Sequence, residues 1–191
     1  MKTIVLFRHG ESKYSGFYPD VTREGTLRVL KNVRVLLSKL GVAGDVQIDQ
    51  DVEIYTSPAV RAIATAMIIK DAVDCRLRAA GRVIIDNRLR SMDVYRKNVA
   101  RKVVACFSLE LLDKWIGVGH PLERLISSKK YPQGSVFEDP LKIKERSMDF
   151  LDSLKNNSNL AFPAIVVTHW EVITWLTDCV VSPGGYALLK I

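Results

Sequence analysis

The sequence predicts an α/β protein built around an open sheet, and three observations carry that prediction. Short apolar runs of β-forming residues recur along the chain, at residues 3–7, 51–56 and 164–168. Segments with helical apolar spacing separate them. Each run also stops abruptly at side chains that carry chemistry: Arg8-His9, Ser57-Pro58 ahead of Arg61, and His169. In an open α/β sheet such strand ends converge on one crevice, which is where ligands bind.

The first run reads as a buried strand because its five residues all favour β structure and present no charged face. It gives way to Arg8-His9-Gly10-Glu11-Ser12, in which a fixed cation and an imidazole are followed by a glycine that frees the backbone to turn. Over residues 25–40, Leu27, Leu30, Val33, Leu36, Leu37 and Leu40 form a helical stripe closed by Gly41. The second strand runs into Ser57, a good N-cap, and Pro58, a good first helical residue. Arg61 then falls near the first turn of the following helix, where free N–H groups and the positive dipole end favour an anion.

Residues 82–85 form a short strand, and from 91 to about 139 the chain makes a long polar and basic excursion. Within it lie a helix at 100–116, the loop residue His120, and a Gly/Pro/Ser/Lys-rich loop through 129–132. A helix over 141–154 precedes the third strand, which delivers His169. Residues 170–178 form the next helix, and 186–191 a closing edge strand after Pro183-Gly184-Gly185. With no internal repeat and no disordered linker, residues 1–191 read as one domain whose insertion, at about 91–140, caps the crevice.

A chain of 191 residues with 48% hydrophobic content suits one domain with a sizeable core. Lysine and arginine outnumber acids by 28 to 21, giving a net charge of +7 that favours anionic ligands. The excess is scattered, with no aromatic-basic interleaving and no nucleic-acid motif, which argues against nucleic acid as a partner. Cys75, Cys106 and Cys179 are far apart, so buried thiols in a reducing compartment are expected rather than a disulfide framework or a zinc site. The apolar start is too short for a signal peptide or membrane span, so a cytoplasmic protein with no membrane partner is expected. No metal or other cofactor is expected: a cation would have to share the pocket with Arg8 and Arg61, and neither His-x-x-x-His nor a carboxylate cluster supplies ligands.

Taken together, Arg8-His9-Gly10-Glu11-Ser12, Thr22-Arg23-Glu24-Gly25, the segment from Ser57-Pro58 through Arg61-Ala62 to Thr65-Ala66, and Val167-Thr168-His169 resemble the histidine phosphatase superfamily, the phosphoglycerate mutase-like proteins. Order and rough spacing agree over nearly the whole chain. The resemblance implies a three-layer α/β/α sandwich with a mainly parallel sheet, and a covalent phosphohistidine intermediate at His9.

The chemistry of these residue types fits that implication. A phosphomonoester resists attack because its oxygens are anionic, so catalysis is mostly positioning and charge neutralisation. Arg8 and Arg61 can each fork two donors onto those oxygens. His9 would attack through one ring nitrogen while a hydrogen bond at the other fixes the tautomer. His169 is expected as a protonated donor to the phosphoryl oxygens, and Glu11 as a partner for a cation. Water then attacks the phosphohistidine.

At the step that expels the leaving group the sequence departs from the family's pattern. A Leu-x-Glu segment that supplies the general acid becomes Leu89-Arg90-Ser91, with serine in the glutamate's place. Asp93 lies two residues on, hence on the same side of an extended segment, and is the substitute candidate; Glu138 and Asp139 are alternatives. Ser15 stands where the family carries an asparagine, which adds it to the expected phosphate-binding set of Arg8, Arg61 and His169. The short loop at 14–20 and Trp170 in place of a glycine argue against a mutase and favour a phosphatase. The expected partner is an anionic phosphorylated substrate, either a small molecule or a phosphoprotein. A protein phosphohistidine phosphatase is the alternative, suggested by the missing glutamate and by a C-terminal Pro183-to-Leu189 stretch similar to the small bacterial enzymes of that type. A phosphate-binding regulator without turnover is the third.

Overall fold

A computed structural model describes residues 3–13, 20–39, 52–77, 81–91, 138–158, 160 and 164–191. Its frame is a five-stranded sheet of β1 (Thr3–Arg8), β4 (Val52–Thr56), β5 (Gly81–Ile85), β6 (Ala164–Thr168) and β7 (Tyr186–Lys190), in the order β5-β4-β6-β1-β7. The first four in that order run parallel, and β7 pairs antiparallel with β1 at the edge. A two-residue ladder of β2 (Ser12–Lys13) and β3 (Asp20–Val21) stands apart.

Among the described residues, four α-helices cover the sheet: α1 (Arg23–Lys39) and α2 (Val60–Leu77) on one face, α3 (Pro140–Asn156) and α4 (Trp170–Thr177) on the other. The central strands therefore read as continuous apolar runs, since both of their faces are covered. Val5 and Phe7 of β1 join Val29, Val33, Leu36, Leu37, Ala62, Ala66, Ile69 and Val73 in one core. Ile4 and Leu6 join Phe150, Leu151, Leu154 and Ile173 in the other. The expected α/β/α sandwich with a mainly parallel sheet is the fold observed.

Register aligns the strand ends that matter. Arg8 pairs with Thr168 across β1 and β6, and Thr56 pairs with Val167 across β4 and β6. His9, Ser57 and His169 consequently leave the sheet side by side.

Some local expectations need correction. Leu27 is 58% exposed, and the buried stripe of α1 is Gly25, Val29, Val33, Leu36 and Leu37. Two positions along a helix is a rotation of roughly 200°, so Leu27 points away from both Gly25 and Val29. Helix α2 begins at Val60, with the Ala59 carbonyl accepting from Ala62 and Ile63, so neither Ser57 nor Pro58 holds its expected helical position. Ser57 is kept extended because its N–H donates to the Val167 carbonyl at 3.0 Å. Cys75, near the end of α2, and Cys179, just after α4, are exposed free thiols rather than buried ones. Most of the excursion, with its helix at 100–116, His120 and Cys106, lies outside the described residues. No helix among the described residues is long and apolar enough to cross a membrane.

Candidate active site

Where β1 ends, the backbone turns under restraint from several directions. The His9 N–H donates to the Thr168 carbonyl at 3.0 Å, and the Gly184 N–H to the Arg8 and His9 carbonyls at 3.2 and 3.0 Å. Gly10 donates to Thr65 Oγ1 at 2.9 Å, and that hydroxyl donates to the Arg61 carbonyl at 2.7 Å. The threonine four residues after Arg61 thus ties the first turn of α2 to the Arg8-His9-Gly10 turn.

Close packing explains the two glycines. A Cβ at Gly10 would meet Val21 Cγ1 at 2.6 Å, and one at Gly25 would meet the Glu11 carbonyl oxygen at 2.7 Å and its nitrogen at 2.8 Å. Thr22 reinforces this approach: its N–H donates to the Glu11 carbonyl at 2.7 Å, and its hydroxyl accepts from Gly25 at 3.0 Å, capping α1. Glu11 is exposed and makes no ion pair among the described residues, and its backbone carries these contacts.

His9, Arg61 and His169 form one connected group. Nδ1 of His9 lies 2.8 Å from the Gly10 carbonyl, which can only accept, so the proton sits on Nδ1 and the lone pair on Nε2. Arg61 Nε donates to that lone pair at 3.1 Å, and an Arg61 terminal nitrogen donates to His169 Nδ1 at 3.2 Å. With Nδ1 accepting, His169 carries its proton on Nε2 and donates to Ser57 Oγ at 2.8 Å. The Ser57 hydroxyl also accepts the Ala59 N–H at 3.3 Å. The two imidazoles face each other at 5.1 Å in an edge-on arrangement.

Electrostatics keeps both rings neutral. Burial is the largest cause of the fall in the His9 pKa to about 3, followed by His169, Arg61 and Arg8, against which the Gly10 hydrogen bond works. His169 is held well below its ordinary range by burial and then by Arg61, Arg146 and Arg8. Burial and three nearby guanidinium groups thus favour His169 as a neutral Nε2–H donor in this arrangement of the protein.

Arg8 is anchored by a 2.9 Å bond from a terminal nitrogen to the Val181 carbonyl, in the segment that also brackets its backbone. Arg146, on α3, was not singled out by the sequence, where it reads as an ordinary helix charge. It donates to the carbonyls of Arg88 and Ser91 and bridges Glu138 at 3.2 Å. Glu138 is 1% exposed and takes Arg90 on one oxygen and Arg146 on both, while Asp139 caps α3 by accepting from Leu141. Both alternative acids thus have structural employment. Ser91 donates to a second buried carboxylate, Glu171, at 2.5 Å. Of the expected site residues, Arg8, His9, Arg61 and His169 come together, whereas Asp93 and Ser15 lie outside the described residues.

No protein-family model and no curated protein matches the sequence. Solved structures do. The fold is shared with a mycobacterial glucosyl-3-phosphoglycerate phosphatase at a TM-score of 0.62 and 16% identity, over 100% of this chain and 90% of that one. It is likewise shared with the α-ribazole phosphatase of Shigella flexneri, at a TM-score of 0.57 and 19% identity over 99% and 90%. For the phosphoglycerate mutase of Thermus thermophilus the TM-score is 0.54 at 16% identity, over 98% and 92%. The chain has the phosphoglycerate mutase-like fold.

Proposed function

We propose that this chain is a phosphatase of the histidine phosphatase superfamily, hydrolysing a phosphomonoester through a phosphohistidine at His9. The observation that carries the proposal is the single guanidinium of Arg61 joined to Nε2 of His9 and Nδ1 of His169, with Nδ1 of His9 held by Gly10. Such an arrangement keeps one neutral nitrogen lone pair on His9 among cationic side chains. Two of the like-folded proteins named above are phosphatases, which supports the same reaction class here.

His9 Nε2 attacks phosphorus as the Arg61 Nε donor yields that position and turns to the phosphoryl oxygens, where Arg8 joins it. Arginine suits this task because its planar fork matches a phosphoryl group at two oxygens. As His9 is phosphorylated its ring becomes cationic, and the Gly10 carbonyl at Nδ1 stabilises that charge. A turn of the His169 ring can redirect its Nε2–H from Ser57 to a phosphoryl oxygen. Water then cleaves the N–P bond. Ser15 completes the proposed phosphate-binding set.

A phosphohistidine protein substrate is the second reading, favoured by the hydroxyl of Ser91 where a carboxylic acid is expected. An aryl phosphate, an alkyl phosphate and a phosphohistidine peptide, assayed side by side, separate the two. Hydrolysis of both esters, inhibited by vanadate, is expected; turnover of the peptide alone would favour the second reading, and turnover of none would overturn both.

A further inference from the structure

Resting on the phosphatase reading, we propose that Glu171 is the proton donor to the leaving group, its carboxyl presented from α4 and held by Ser91. Two glutamates among the described residues are buried, Glu138 and Glu171. Glu138 is committed on both oxygens to Arg90 and Arg146. Glu171, 2% exposed, receives the Ser91 hydroxyl on Oε1 at 2.5 Å.

Three links hold this carboxyl next to the strand end that delivers His169. Glu171 lies two residues beyond His169, whose carbonyl starts α4 by accepting the Ile173 N–H at 3.1 Å. Ser91 follows a turn pinned to the end of β6 by the Thr168 hydroxyl, which donates to the Leu89 carbonyl at 2.8 Å. Arg146 grips the same turn at the Arg88 and Ser91 carbonyls. The hydroxyl at position 91 is too short and too weak an acid to deliver a proton, but it is placed to orient a carboxyl arriving from the neighbouring strand end. In this proposal the carboxyl comes from α4 and meets the side chain at position 91.

The proton balance closes over two steps. In the first, the His9 Nε2 lone pair forms the N–P bond and the P–O ester bond breaks. Its electron pair stays on the leaving oxygen, which takes the Glu171 proton and departs as an alcohol. In the second, water attacks phosphorus and gives a proton to the Glu171 carboxylate, and the N–P bond pair returns to Nε2. Phosphate leaves, with Glu171 protonated and His9 neutral again.

The test compares kcat/KM for an alkyl and an aryl phosphate in the parent and in Glu171→Gln, because an alkoxide needs the proton far more than a phenolate does. General acid help is worth roughly 10²- to 10⁴-fold, so Glu171→Gln is expected to lose about 10²-fold or more on the alkyl ester and much less on the aryl one. Adding Ser91→Glu to Glu171→Gln should recover alkyl turnover by at least about tenfold of that loss. If thermal unfolding shows that Glu171→Gln does not fold, Glu171→Asp replaces it, with the same selective alkyl loss expected. Equal slowing of both esters, or a selective alkyl loss in Asp93→Asn instead, overturns the proposal alone. A parent protein that hydrolyses neither ester overturns the phosphatase reading beneath it.

Discussion

Arg61 donates to Nε2 of His9 at 3.1 Å, and that nitrogen is the one with a lone pair to give. The same guanidinium reaches His169 at 3.2 Å. One planar group therefore sets the spacing of both imidazoles before any substrate arrives.

Arg61→Ala is expected to lower kcat/KM for an aryl phosphate by about 10²-fold or more, the usual cost of removing one preorganised charge-stabilising donor. Arg61→Lys should recover little of it, since an ammonium cannot offer a two-pronged planar donor. Steady-state kinetics on both variants checks this; full activity in Arg61→Ala would remove the main support for the site.

Ser57→Ala should have a milder effect. The hydroxyl orients His169 without being expected to touch the substrate, and losing one neutral hydrogen bond costs about 1 kcal/mol, roughly a factor of five to ten. Inhibition constants for inorganic phosphate in parent and variant measure how far the pocket has loosened.

A methyl group at Gly25 has nowhere to go, since its nearest neighbours are the backbone oxygen and nitrogen of Glu11. Overpacking of this kind costs about 1–3 kcal/mol. Gly25→Ala is therefore expected to unfold at lower denaturant and to lose activity through displacement of the adjoining turn. Gly10→Ala has its close contact with a side-chain methyl of Val21 rather than with backbone. It should be the less damaging to stability of the two.

Stability should fall as pH is lowered from 6.5 towards 3. An unfolded histidine titrates near 6.5, whereas His9 stays neutral to about 3. In that window the unfolded chain binds a proton that the folded chain refuses, so stability rises with pH. His169 adds to the effect in the same direction. Each such proton contributes a slope of up to about 1.4 kcal/mol per pH unit. Urea midpoints measured across this range should fall less steeply in His9→Ala; an unchanged slope would contradict the neutral, buried ring.

Much of the frame is legible in the sequence, because strands covered on both faces leave continuous apolar runs such as Ile4 to Phe7 and Ala164 to Val167. The polar side chains that end those runs mark the site for the same reason. Pairings between distant positions leave no local trace. Ser57 meets His169 across 112 positions and Ser91 meets Glu171 across 80. Both serines read locally as a cap and as a loss, and neither partner can be named from spacing. Arg146 is similarly silent, since one arginine on a polar helix face looks like any other. Leu27 misleads because leucine spacing fits two registers of α1, and the buried one runs through Gly25, Val29, Val33, Leu36 and Leu37.

The most direct test of a covalent role for His9 is to trap the intermediate. The purified protein, mixed rapidly with a ³²P-labelled aryl phosphate and quenched in alkali, should retain label that is stable to base and lost in acid, as a phosphoramidate is. His9→Ala should retain none and should not turn over. A His9→Ala protein that hydrolysed the aryl phosphate at a rate near the parent's would contradict the mechanism at its centre.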